Sequence, residues 1–271
     1  MTDDNNINAS LVKKLRQRTG VGMMTCKKAL IEAKGNIEKA IDHIRIMGVS
    51  ASAKKSYPPS SAQGMILIKI QESFGSMVEI NSETDFVSNN VHFKTFSNNV
   101  ISTALSERIT DIKILQSLFE QQRIALMTLL GERIHIRRLA FLEEKNIGYY
   151  IHGSRIGVMV TFTNDQKKEL GKKIAMHITA CKPAYIKPES IPMEVVQREQ
   201  KIQQAILSQS TFPSIEISNK IFTGRMQKFI TESSLTEQKF IFEPTKTVSE
   251  VLKENNTQVN NFIRFEVGEE I

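Results

Sequence analysis

The chain predicts an α+β fold: an N-terminal three-helix module, then two related α+β core subdomains, the second carrying an inserted helical hairpin. Three observations predict it. Helical periodicity broken by glycines is confined to the first 48 residues or so. Two β-hairpin patterns follow, each succeeded by a helix and closed by a late strand. The second of these units holds a Gln-rich segment with near-heptad apolar spacing. The expected division is 1–48 for the module, 49–62 for a linker, 63–145 for the first subdomain and 146–271 for the second, with the hairpin at about 190–230.

In the opening module, Ser10 is placed to cap a helix with Leu11, Val12 and Leu15 on one face. Thr19-Gly-Val-Gly22 breaks it. Thr25 is placed to cap the next helix, where Cys26, Ala29, Leu30 and Ala33 recur at helical spacing. Gly35 ends that helix, Asn36 caps a third with Ile37, Ala40, Ile41 and Ile44, and Gly48 terminates it. Three short helices bury little area, so the module is small. Residues 49–62, with small residues and Pro58-Pro59, read as an exposed extended linker.

Gly64–Ile70 and Gly75–Ile80 alternate as a β-hairpin, and Gly148–His152 with Ile156–Phe162 form another. Helices follow, roughly His92–Leu105 and Lys167–Cys181, and strands close each unit at Ile134–Glu144 and Phe262–Glu270. This β-β-α…α-β pattern, read twice, predicts a duplicated unit. Glu194–Ser208 and Ile215–Ile230, joined through Thr211-Phe-Pro-Ser214, predict the helical hairpin. Its apolar stripe, Val195, Ile202 and Ile206, suits a partner helix or a second copy of the chain, and equally suits a self-packed helix pair.

Net charge is +7 with no Trp, so the core rests on aliphatic residues, Met and Phe. The charge admits an acidic partner, nucleic acid or protein. General enrichment in Lys, Asn and Ile accounts for it better, because Lys54-Lys55 and Lys167-Lys168 are only pairs and Arg137-Arg138 follows strand spacing. Two distant cysteines, Cys26 and Cys181, suit free thiols in a reducing compartment. The polar start, Met1-Thr-Asp-Asp-Asn5, and the lack of a long apolar run point to a soluble cytosolic chain with no membrane association.

No phosphate loop or nucleophile elbow is present. Gly20-Val-Gly22 reads as a helix–helix turn rather than an anion cradle. His177 and Cys181 lie one turn apart on a predicted helix, but two ligands without a carboxylate cluster make no metal site. No catalytic residue, metal or cofactor is expected, which leaves binding. The residue that stands out is Phe86, in Asn81-Ser-Glu-Thr-Asp-Phe-Val-Ser-Asn-Asn90. Either Ser82 or Thr84 caps a short turn and Phe86 packs inward, or the ring is offered to a partner.

Several motifs together resemble the elongation factor Ts family: Leu11–Leu30, Glu83-Thr-Asp-Phe-Val87, His152-Gly-Ser-Arg-Ile-Gly-Val158, Cys181-Lys-Pro-Ala-Tyr-Ile-Lys-Pro188 and Phe262-Ile-Arg-Phe-Glu-Val-Gly268. They stand in the family's order along nearly the whole chain. The resemblance implies a ubiquitin-associated-like opening module, a coiled-coil hairpin, and a guanine-nucleotide exchange factor for elongation factor Tu, in its GDP-bound and nucleotide-free forms. By motif, Thr84, Asp85, Phe86 and Val87 would disturb that partner's Mg²⁺ and phosphate site, with Phe86 as a wedge. Arg16, Met23, Met24 and, following them, Lys27 would dock on its GTPase domain. His152 and Gly153 would meet its other domains. The resemblance also implies a further helical module past the last strand, whereas this sequence ends at Ile271; weaker binding with exchange intact is expected. The alternative is a basic RNA- or ribosome-binding protein, against which stands the lack of aromatic residues interleaved with Lys/Arg clusters. No direct nucleic-acid contact is expected.

Overall fold

The structure is a computed structural model, and it describes residues 8–19, 21–46, 63–164, 168–209 and 215–269. The expected linker, Gly48, Gly20 and the Thr211–Ser214 turn lie outside the described residues. The chain begins with α1 (Ala9–Thr19), α2 (Met23–Glu32) and α3 (Ile37–Ile46). Strands β1 (Gln63–Gln71) and β2 (Phe74–Ser82) follow, then α4 (Asp85–Asn89), α5 (Val91–Ser106), α6 (Ile112–Leu130) and β3 (His135–Glu143). The second half runs β4 (Ile147–His152), β5 (Ile156–Phe162), α7 (Lys168–Cys181), α8 (Met193–Ser208) and α9 (Ile215–Ser233), then β6 (Lys239–Phe240), β7 (Glu243–Thr247), α10 (Val248–Glu254) and β8 (Val259–Glu266). The mixed helix-and-sheet architecture is the α+β class that the sequence predicts. Its contacts group into two compact units: residues 1–60 with 191–230, and residues 61–190 with 231–271.

In the first unit, Val12, Leu15, Cys26, Ala29, Leu30, Ala40 and Ile44 close a small core. Two expected caps are corrected. Asn8, not Ser10, opens α1: its Oδ1 accepts from the Ser10 N–H at 3.2 Å, and Ser10 lies within the helix. Gly22 is the N-cap of α2, so Thr25 falls inside the first turn. The α2–α3 corner is as expected. Gly35 takes a left-handed φ of 80° and donates to Leu30 O at 2.8 Å, and Asn36 Oδ1 accepts from Lys39 N at 3.0 Å.

Helix α3 lies against α8. Arg198 grips the Asp42 carboxylate through Nε and Nη2 (2.9 and 2.7 Å), and Arg45 meets Glu199, a buried carboxylate, at 3.0 Å. Within this unit part of the hairpin's outer surface is therefore taken by the chain's own helical module. The stripe residue Ile202 is buried, while Val195 and Ile206 are half-buried.

The second unit holds two three-stranded antiparallel sheets, ordered β1-β2-β3 and β4-β5-β8. Helices α5 and α6 bury Phe93, Phe96, Val100, Leu115 and Phe119 with the Val78 and Ile80 face of β2. Helices α7 and α10 bury Ile174, Ile178, Val251 and Leu252 with the Val158 and Val160 face of β5. The opposite faces of both sheets share a third cluster, including Ile66, Ile68, Met77, Met159 and Phe265. Strands β2 and β5 are thus buried on both sides; β5 accordingly reads as a nearly continuous apolar run, whereas β2 also buries Ser76 and Glu79. Gly157 permits the close sheet contact: a Cβ there would sit 2.5 Å from Ile66 Cγ2.

Two polar groups inside this unit are fully answered. Glu79 on β2 is inaccessible, and it accepts from Gly268 N at 2.8 Å, Asn81 Nδ2 at 2.9 Å, Arg137 Nη1 at 3.0 Å and Arg138 Nε. Burial alone would raise its pKa. The Gly268 and Asn81 donors and the Arg138 guanidinium more than offset that and hold it below the ordinary glutamate value. The Arg137-Arg138 pair is therefore committed to a carboxylate of its own fold. His177 is also buried. Its Nε2 lies 2.9 Å from Gln238 Oε1 and its Nδ1 receives the Ile241 N–H at 3.4 Å, with Cys181 Sγ at 3.8 Å. These contacts fit a neutral ring protonated at Nε2, and burial lowers its pKa. Among the described residues no three His, Cys, Asp or Glu could share a metal ion.

Candidate functional site

Strand β2 runs out at Ser82, and the chain reverses into α4 through a turn held by side-chain hydrogen bonds. Ser82 Oγ donates to Thr84 O at 2.9 Å. Thr84 is the α4 N-cap, extended at φ −122° and ψ 161°, and its Oγ1 accepts from Val87 N at 3.4 Å. The same hydroxyl donates to Glu132 Oε1 at 2.6 Å, while Thr84 N–H donates to Glu132 Oε2 at 3.0 Å. Beside it, Glu83 pairs with Arg133 at 2.7 Å. Glu132 and Arg133 lie just past the left-handed C-cap of α6, Gly131 (φ 75°), so the end of α6 clamps the turn.

The clamp divides the turn's side chains. Val87 points inward and is buried with the α5–α6 core. Asp85 faces solvent, and its backbone oxygen accepts from Ser88 Oγ and Asn89 Nδ2 at 3.0 and 3.1 Å. Phe86 is 84% exposed, the most exposed of the large hydrophobic side chains among the described residues. Thr84 does cap the turn, as one reading of the sequence allows, but Phe86 does not turn inward with it. A helix this short places consecutive side chains about 100° apart, so burying Val87 directs Phe86 outward.

The other expected residues lie in two places. Arg16, Met23, Met24 and Lys27 are all exposed on the three-helix module, the two methionines at 46% and 68%. They bracket the α1–α2 corner, where Val21 is buried and pins the chain. His152 and Gly153 sit at the β4–β5 turn, where Gly153 and Ser154 both take left-handed φ (53° and 58°) and Arg155 N–H donates to His152 O at 3.0 Å. The exposed His152 ring contacts Tyr150 Oη through Nδ1 at 3.2 Å. Sequence reasoning missed Glu132. It is remote from Thr84 along the chain, and the one local signal was an acidic residue just past a glycine stop.

No helix of the described residues is long and apolar enough to cross a membrane. A sequence model of the family described as elongation factor TS matches residues 83–269. The chain is 52% identical over 267 residues to an elongation factor Ts of Yersinia pestis (strain Pestoides F), covering 98% of this chain and 93% of that relative. It is equally similar, over the same shares, to an elongation factor Ts of Yersinia pseudotuberculosis serotype O:1b (strain IP 31758). With its exposed ring on a clamped turn and this likeness across nearly its whole length, the chain belongs to the elongation factor Ts family.

Proposed function

We propose that this chain is the nucleotide-exchange factor of elongation factor Tu, acting in the cytoplasm by binding rather than by covalent chemistry. In this reading Phe86 enters the partner as a wedge, and Asp85 disturbs the groups that hold Mg²⁺ beside the bound phosphates. Thr84 and Val87 fix the turn that presents them. Arg16, Met23, Met24 and Lys27 grip the GTPase domain, and His152 with Gly153 meets the rest of the partner. One observation carries the proposal: an 84% exposed phenyl ring on a turn whose backbone is held by Thr84, Glu132 and the buried Val87.

The physics is linkage. A factor that weakens GDP binding is itself weakened by GDP to the same extent. It must therefore bind the open form of the phosphate site better than the closed form. Burying one Phe contributes about 1.5–3 kcal/mol. Reversing a population from 1:99 to 99:1 takes about 5.5 kcal/mol of differential affinity. Phe86 alone falls short, so the module and the β4–β5 turn must supply the remainder.

The test is release of a fluorescent GDP from elongation factor Tu, with wild type and Phe86→Ala at equal concentrations. The expected result is accelerated release by wild type, largely lost in a variant that stays folded. Equal acceleration by both would remove the wedge from the mechanism. A wild-type protein without effect on release would remove the function.

A further inference from the structure

We infer that Arg155 and Gln63 are positioning residues: they fix the β4–β5 turn against the root of the Phe86 turn, so that the two meet a partner as one body. The inference rests on the exchange reading above, in which both turns contact elongation factor Tu. The β4–β5 turn is fastened to strands outside its own hairpin. Ser154 O accepts from Ile66 N on β1 at 2.8 Å, and Arg155 O accepts from Val267 N, just past β8, at 2.8 Å. Arg155 Nη1 then donates to Gln63 Oε1 at 2.6 Å. Gln63 is the first residue of β1 and lies across from Ser82, the last residue of β2. Its own carbonyl oxygen accepts from Asn81 Nδ2 at 3.3 Å, so its backbone is held to β2 while its side chain reaches Arg155. Phe86 lies four residues beyond Ser82, on the turn that Glu132 clamps.

One side-chain hydrogen bond thus joins the turn that carries His152 and Gly153 to the residue pair from which the Phe86 turn springs. Arg155 is exposed and Gln63 half-buried, so their bond adds little to stability. What it supplies is coupling. Contacts made by the β4–β5 turn alone favour the open and closed forms of a partner equally, and a contact shared by both forms shifts nothing between them. On a firm connection the turn seats fully only when Phe86 has entered as well, so its binding energy favours the open form. On a loose connection the same contacts form without the ring, which gives affinity without exchange.

The test follows release of a fluorescent GDP from elongation factor Tu over a range of concentrations of the full chain, which separates the maximum rate from the half-saturating concentration. Arg155→Ala is expected to lower the maximum rate about threefold to tenfold, the equivalent of one hydrogen bond. Its half-saturating concentration should stay at the wild-type value. Gln63→Ala should behave alike, and the double variant should be no slower than either single one, because both remove the same bond. Thermal melts of all three should match wild type. A misfolded fraction would raise the half-saturating concentration and leave the maximum rate alone, so a merely structural loss reads differently. An Arg155→Ala maximum rate equal to wild type, beside a slowed Phe86→Ala, overturns the coupling and leaves the wedge standing. So does a double variant slowed by the product of the two single effects. A wild-type chain without effect on release removes the exchange reading and this inference with it.

Discussion

Glu79 and Phe86 lie on and just beyond the same strand, and each inverts the usual rule of burial. The carboxylate is inside and the phenyl ring is outside. What separates them is compensation. Glu79 is met by a backbone N–H, an amide and two guanidinium groups, so its buried charge is answered within the fold. Phe86 has no such answer, although Thr84, Glu132 and Val87 hold its backbone in place. A compensated exception to the burial rule belongs to the architecture. An uncompensated one on a backbone held in place is what the proposed wedge rests on.

Breaking the first side of the contrast should give the largest effect. Glu79→Ala strands Arg138 among buried neighbours and is expected to cost about 3–5 kcal/mol in a urea titration. Because the folded pKa of Glu79 is lowered, its stabilisation is present above the ordinary glutamate value of about 4.3 and is lost as pH falls through the lowered value. Wild-type stability should therefore drop in acid by more than that of Glu79→Ala. Breaking the second side should reverse the pattern. Phe86→Ala is expected to change stability by less than about 0.5 kcal/mol. It should slow GDP release from elongation factor Tu about tenfold to a hundredfold, the kinetic equivalent of losing one buried Phe. A Phe86→Ala protein that melts early would mean that the ring supports the fold after all.

Thr84→Ala probes the support between the two. Loss of the cap should cost about 1 kcal/mol in thermal melts. Exchange should fall less than in Phe86→Ala, since the ring remains but its turn is looser; Glu132→Ala should behave alike if the clamp is what matters. The smallest effect concerns His177, a second compensated group. Its lowered pKa means that, as pH drops below about 6.5, the unfolded chain takes up a proton before the folded one does, and stability declines. His177→Gln should flatten that decline between neutral and mildly acidic melts while leaving exchange unchanged.

Much of this contrast was present in the one-dimensional pattern. Alternation in Met65–Ile70 and Met77–Ile80 predicts the first hairpin, and the same period predicts the second. Gly35 and Asn36 fix a helix end and the next helix start, because left-handed backbone and side-chain capping are local requirements. The misplaced caps at Ser10 and Thr25 have a local cause as well: Asn8 and Gly22 hold the positions just ahead of each helix, which leaves Ser10 and Thr25 inside the first turns. Helix α6 and the β6–β7–α10 segment were not located: α6 carries apolar residues on its exposed side, such as Ile114 and Leu118, as well as on its buried side, and β6 spans only two residues.

What the sequence determined by itself is set by short-range physics: the α+β class, the hairpins, the turn after β2 and the presence of a phenyl ring within it. What only the tertiary structure decided depends on groups far apart in the chain. Glu132 reaches back from the end of α6 to hold Thr84, Val87 takes the inward position, and Phe86 is left outside. Likewise Glu79 becomes a buried structural charge only because Arg137, Arg138 and Gly268 arrive around it. Burial and compensation are sums over neighbours in space, and those neighbours exist only once the chain has folded.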